Sequence, residues 1–211
     1  MASKRGTALK VQSVTGRTCA LAVGLLAFAG LAIRFSVSLE QNGSVEAALW
    51  AMLRFFTIIG NTVTCLILFC AALGVRALSH PRWQAGAMLA MALIGVVYAV
   101  LLRATENLSG PAQTANLILH YISPPAVALY WVLCVPKGRL VYGDAFRWAL
   151  FPLAYLGYAL VRAHYDGRYP YPFLDVARRG WTQVGVTLTL IALGFVVAGI
   201  ILVWIDRRLR R

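Results

Sequence analysis

Acidic side chains are scarce in this chain, with seven Asp and Glu among 211 residues, and charged residues of either sign make up only 13%. A water-soluble domain carries about 25% charged and roughly 45–50% apolar residues. Here 60% of the chain is apolar and the mean hydropathy is +0.72. A soluble globular domain is excluded, and so is intrinsic disorder, which requires low hydrophobicity. Histidine is scarcer still, with three residues and no intramembrane pair to ligate a haem. The G-x-S-x-G elbow of serine hydrolases and zinc motifs such as H-E-x-x-H are missing, so no metal and no cofactor is expected. The four cysteines (Cys19, Cys65, Cys70, Cys134) lie inside apolar runs without CxxC spacing and read as buried thiols.

What the chain does have is long apolar runs. A bilayer core about 30 Å thick needs roughly 20 helical residues to cross it. Six runs qualify as candidates: 18–35, 55–75, 85–102, 117–135, 148–161 and 182–205. The fifth is the shortest and contains Pro152. The reading is a single all-α domain, a polytopic bundle of six transmembrane helices. Ala27-Phe28-Ala29 resembles a leader-cleavage pattern, but the apolar run continues to Phe35, so the first segment is read as a retained span.

Placing the N-terminus in the cytoplasm assigns Lys4, Arg5, Lys10, Arg17, Arg76, Arg82, Lys137, Arg139, Arg147, Arg207, Arg208, Arg210 and Arg211 to that side. These are 13 of the 20 basic residues, and the net charge there is +11 against +2 outside. Both termini are therefore expected to be cytoplasmic, in the cell membrane. Dispersed basic residues point to anionic lipid headgroups at the cytoplasmic face and not to nucleic acid. All six tryptophans (Trp50, Trp83, Trp131, Trp148, Trp181, Trp204) fall at predicted helix ends, where headgroups accommodate indole.

Polar groups inside lipid are costly, which makes their positions informative. Arg54, Thr57, Asn61 and Thr64 fall within an arc of about 80° on the second span. Asn116, His120 and Ser123 share an arc of roughly 60° on the fourth. Both stripes should face the bundle interior. With helices starting near Leu53 and Ala115, Thr57 and His120 reach similar depths, about 6 and 7–8 Å below the outer surface. A hydroxyl and an imidazole at one depth are what a nucleophile and its general base require. The competing reading gives Thr57 only a bond to its own i−4 carbonyl and makes His120 interhelical glue. Pro124 and Pro125 remove the N–H groups that would bond the carbonyls of His120 and Tyr121, which bends the helix there.

Asn61 and Asn116 are candidates to orient His120 or to donate to an oxyanion. Arg34, Arg54 and Arg103 gather at the outer ends of the first three spans. They either snorkel to phosphates or bind a substrate carboxylate, with Glu106 placed to neutralise Arg103. The connection 163–180 is rich in aromatics, and Pro170 and Pro172 forbid a regular helix there, so it is expected as an extended interfacial lid or anchor. His164 should be exposed, and His80, beside Pro81, should lie far from the Thr57–His120 pair.

Several of these segments resemble the androgen-induced, androgen-dependent family of membrane threonine hydrolases and its bacterial six-span relatives. The segments are Phe55-Phe56-Thr57-Ile58-Ile59-Gly60-Asn61, Asn116-x-x-x-His120, Pro136-Lys137-Gly138, Asp144 with Arg147-Trp148, and Tyr169-Pro170-Tyr171-Pro172-Phe173. The resemblance implies a hydrolase of fatty acid esters of hydroxy fatty acids, with Thr57 and His120 as the dyad by position. After His120 the chain reads Tyr121-Ile122-Ser123-Pro124, where animal members have a Thr-rich run, which leaves the substrate open. The alternative to a hydrolase is a non-catalytic lipid-binding, sensor or transport protein using the same polar cavity.

Overall fold

The computed structural model describes residues 13–105 and 107–210. Lys4, Arg5, Lys10 and Arg211 of the charge count, and Glu106 of the expected pairing with Arg103, lie outside the described residues. The described chain is helical, without strands: α1 (Val14–Asn42), α2 (Val45–Met52), α3 (Phe56–Leu73), α4 (Pro81–Val97), α5 (Gly110–Asn116), α6 (Ser123–Cys134), α7 (Gly143–Asp166) and α8 (Val176–Arg208). A π-turn over Tyr98–Leu102 extends α4, and another over Leu117–Ile122 joins α5 to α6.

Five helical stretches among the described residues are long and apolar enough to cross a membrane: Val14–Asn42, Phe56–Leu73, Pro81–Thr105, Gly110–Cys134 and Val176–Arg208. The molecule therefore has the character of a multi-pass helical membrane protein. The expected fifth span lies within α7. This helix is 24 residues long, but Asp144, Arg147, Arg162, His164 and Asp166 crowd its two ends. Only about 21 Å of it, residues 148–161, is free of charge at 1.5 Å per residue.

Boundaries differ from expectation at several places. α1 begins four residues earlier and runs seven further, from an N-cap at Ser13 to a left-handed Gly43. The second run does not start as a helix near Leu53. Residues 45–52 form the separate α2, capped by Ser44, and α3 begins only at Phe56 after an extended Phe55. Thr57 is thus the second residue of its helix rather than more than a turn into it. The connection expected over 163–180 is helical at both ends. Its irregular part is residues 167–175, closed by a 3-10 turn at Pro172–Leu174, and Gly180 (φ 74°, ψ 156°) kinks the start of α8.

Packing centres on α4, which touches α3, α6, α7 and α8, while α1 lies along α2, α3, α5 and α6. Leu68, Met91, Val127, Trp131 and Val203 form the main core. Trp131 and Trp148 belong to this core, because their rings are buried against neighbouring helices, and only Trp50, Trp83, Trp181 and Trp204 are exposed at helix ends as expected. Glycine allows close approach at two places. A Cβ on Gly30 of α1 would lie 2.7 Å from Ile118, and one on Gly60 of α3 would lie 2.7 Å from Ile94 of α4. Both contacts bring helices together around the segment that carries His120.

The end of the bundle away from Thr57 is tied by polar contacts. Buried Asp144 takes Arg82 at 2.7 Å and Arg147 at 2.9 Å. Asp206 accepts the Leu140 N–H at 3.0 Å, and Lys137 donates to the carbonyls of Trp131 and Val135. The Gly138 N–H also donates to the Asp206 carbonyl at 3.1 Å, so the Pro136-Lys137-Gly138 segment ties the end of α6 to α8, while Asp144 ties α7 to the start of α4.

Candidate active site

Thr57, Asn61 and Thr64 face inward from α3 as their spacing predicts, and Arg54, which lies before the helix, is buried as well. Across from it, the π-turn after α5 carries His120. Winding one extra residue into a turn shifts the aim of the side chains that follow, and such turns cluster at functional sites. Pro124 and Pro125 follow directly, where α6 has no N–H to return to the preceding carbonyls.

Thr57 Oγ1 lies 3.1 Å from His120 Nε2, and His120 Nδ1 lies 3.2 Å from the carbonyl oxygen of Asn116. A carbonyl can only accept, so Nδ1 carries the ring hydrogen and Nε2 is left to accept the threonine hydroxyl. This is the tautomer that lets a hydroxyl pass its proton to an imidazole. Tyr98, from the other π-turn, stacks on the His120 ring with centroids 4.0 Å apart.

Neither asparagine amide faces the reacting pair. Asn61 Nδ2 donates to the Thr57 carbonyl at 2.8 Å, and Asn116 Nδ2 donates to the Tyr98 hydroxyl at 2.6 Å. The Oδ1 atoms of both are buried without a partner among the described residues, and as acceptors they cannot donate to an oxyanion. Asn116 orients His120 through its backbone carbonyl, a contact that its side chain does not determine.

A cavity of about 100 Å³ opens over the pair, lined by Thr57, His120, Asn116, Arg34, Leu119 and Tyr171 among others. A second cavity, of about 80 Å³ and almost wholly apolar, lies between Ile94, Val97, Pro152, Phe173 and Ile191. Thr57, Leu102 and Tyr171 line both.

The three arginines separate in this geometry. Arg34 lines the first cavity, half-buried and without an ion-pair partner among the described residues. Arg54 is not available to a ligand. Its guanidinium meets Asp166 at 2.8 and 3.0 Å and donates to the Arg168 carbonyl at 2.7 Å, because α7 ends beside it. Arg103 is exposed and lines neither cavity. The Arg54 guanidinium holds the Asp166 carboxyl at about 2, below its ordinary 3.8, with the Arg168 backbone N–H adding to the effect. His164 is exposed. His80 caps the far end of α4, about 27 Å of helix from Tyr98.

No protein-family model, curated protein or solved structure matches this chain.

Two aromatic residues at the site escape a reading by polar periodicity. Tyr98 sits alone in an apolar run, and the only sign of its position is that a buried tyrosine hydroxyl needs a partner. Tyr171 lies between Pro170 and Pro172, in an extended segment that crosses over the start of α3. Its hydroxyl lies beside the side chains of Thr57 and Tyr155 and the backbone N–H groups of Phe56 and Thr57. Among the described residues, no three His, Cys, Asp or Glu side chains gather so as to hold a metal ion.

Proposed function

We propose that this protein is an intramembrane hydrolase of lipid esters, with Thr57 as nucleophile and His120 as general base, of the kind its resemblance to the membrane threonine hydrolases implies. The observation that carries the reading is the 3.1 Å contact from Thr57 Oγ1 to an imidazole nitrogen whose opposite nitrogen is held by a carbonyl. Thr57 Oγ1 bonds to the ester carbonyl carbon while its proton passes to Nε2. Collapse breaks the carbon–oxygen bond to the alcohol, which leaves with that proton. Water then attacks the acyl-threonine by the same route and releases the acid.

The substrate class is an ester with apolar arms and an anionic group. Arg34 supports the anion, and two cavities meeting at Thr57 support the arms on either side of the carbonyl. Esters of hydroxy fatty acids have this form. Membrane lipids are the surroundings of the reaction and anionic headgroups the contact at the basic face.

The topology that goes with this reading has six spans, both termini cytoplasmic, in the cell membrane. The outward residues of α7 (Phe146, Leu150, Leu153, Val161) are apolar and support a lipid-facing sixth helix. The excess of basic residues at the far end of the bundle supports the orientation, in which Thr57 lies near the outer leaflet.

The test is hydrolysis by purified protein in lipid nanodiscs, using a branched ester of a hydroxy fatty acid and a simple acyl ester. Thr57→Ala and His120→Ala are each expected to lower turnover by at least about 10²–10⁴-fold, while Thr64→Ala leaves it unchanged. Wild-type turnover in both dyad variants overturns the dyad, and binding of the ester with no hydrolysis at all decides for a non-catalytic lipid-binding protein.

A further inference from the structure

An ester carbonyl attacked by Thr57 needs hydrogen-bond donors where its negative charge develops, and both asparagine amides are committed elsewhere. We propose that Tyr171 is a third catalytic residue, its phenol O–H donating to the carbonyl oxygen of the ester that Thr57 attacks. This rests on the hydrolase reading above and names the group that reading lacks.

Three observations converge on Tyr171. Its hydroxyl stands beside Thr57 and the N–H groups of Phe56 and Thr57. Among the described residues, those N–H groups have no carbonyl partner and no side-chain cap, since α3 begins there after an uncapping Phe55. They stand beside the phenol oxygen, and a hydroxyl beside such donors is a stronger donor itself. Tyr155, the other nearby phenol, donates its own hydrogen to the Arg54 carbonyl at 2.8 Å. Toward Tyr171 it can therefore only accept, so its oxygen is the partner from which a bound ester carbonyl takes over the Tyr171 O–H.

Placement supports the same role. Tyr171 and Thr57 both line the two cavities, so a carbonyl at Thr57 Oγ1 with one arm in each cavity has its oxygen next to the phenol. The ring is fixed by Phe173, stacked at 5.2 Å and 7°, and by the edge of Phe55 at 6.0 Å. A donor that does not reorganise during the reaction is the most effective kind.

In the step itself, Thr57 Oγ1 forms the bond to carbon as its proton moves to His120 Nε2. The carbonyl π pair becomes a lone pair on oxygen, and that charge is met by the Tyr171 O–H. When the pair returns, the carbon–alkoxide bond breaks and His120 gives its proton to the departing alcohol. Tyr171 keeps its proton throughout.

The test uses the full chain in nanodiscs with a branched lipid ester. Tyr171→Phe keeps the ring contacts and removes the donor. The expected result is a fall in kcat of about 10²–10³-fold with KM and thermal midpoint nearly unchanged. A boronic acid that forms a tetrahedral adduct on Thr57 should lose a similar factor in affinity, and a non-reactive ether analogue should lose none. If Thr57→Ala keeps wild-type turnover, the hydrolase reading fails and Tyr171 falls with it. If Thr57→Ala is inactive but Tyr171→Phe keeps more than half of wild-type kcat, only the role of Tyr171 is overturned. Should Tyr171→Phe not fold, fluorotyrosine incorporated at Tyr171 replaces it. A rate that changes with phenol acidity supports the donor, and an unchanged rate overturns it.

Discussion

Tyr98 lies over the imidazole of His120, planes 29° apart, and the hydroxyl of the same tyrosine takes the Asn116 amide one helical turn before the histidine. The ring is therefore held on one face by an aromatic side chain and at Nδ1 by a carbonyl, and it needs no carboxylate partner to fix its orientation. Removing the stack should loosen the ring without removing it. Tyr98→Ala is expected to lower kcat by about tenfold or more through lost orientation. Tyr98→Phe and Asn116→Ala keep the stack and the backbone carbonyl, and each should cost less than Tyr98→Ala. Steady-state kinetics on the three variants checks the order.

Arg34 is the arginine left to meet an anion. Arg34→Gln should raise KM for an ester bearing a free carboxylate by about 10-fold or more, as loss of a charge-assisted hydrogen bond implies. KM for a neutral ester should not change, and Arg103→Gln should leave both untouched. Equal effects on charged and neutral esters would remove Arg34 from substrate binding.

The Arg54–Asp166 pair is structural, since it fastens the end of α7 to the residues just before α3. Arg54→Met or Asp166→Asn should each cost about 2–3 kcal/mol of stability, between the values for exposed and buried pairs, and the double variant less than the sum. The pH dependence has a definite sign. Asp166 titrates at about 2 in the folded protein against 3.8 ordinarily, so its contribution is complete above about pH 4. It is lost as the pH falls from about 4 to about 2. Thermal midpoints across that window should decline more steeply for wild type than for Asp166→Asn.

Close approach at Gly30 positions the His120 segment from behind. Gly30→Val drives a branched side chain into Ile118 and Leu119 and should destabilise by about 1–3 kcal/mol while lowering turnover more than stability alone explains. Gly157→Ala is the control. Its Cβ meets nothing within 4 Å, and a helical glycine replaced by alanine should gain about 0.5–1 kcal/mol. Melting curves and turnover measured on the same samples separate the two effects.

The inward stripe of α3 and the meeting of Thr57 with His120 were legible because helical periodicity and the cost of polar groups in lipid act within one or two helices. The commitment of Arg54 was not legible, as its partner Asp166 lies 112 residues away and only the tertiary path of α7 joins them. The start of α3 was missed for a related reason. The helix was read as starting near Leu53, and the break at Phe55 comes beside the long-range contacts to Arg54 from Tyr155 and Asp166. Assigning the asparagine amides to the reacting atoms failed because Asn61 found a carbonyl on its own helix and Asn116 found Tyr98. α7 was read as the shortest run, 148–161, and so drawn too short, because its polar ends are paired within the protein and not left in lipid.

Both π-turns hold one residue more than a regular turn would, and Tyr98 and His120 ride on them. Removing Tyr121 or Ile122, which lie between His120 and α6, restores ordinary winding and rotates everything before the deletion by about 100° relative to α6. The imidazole is thus aimed by a count of residues as well as by their kinds. A single-codon deletion there would leave Thr57 and His120 in the chain and still point the histidine away from the threonine.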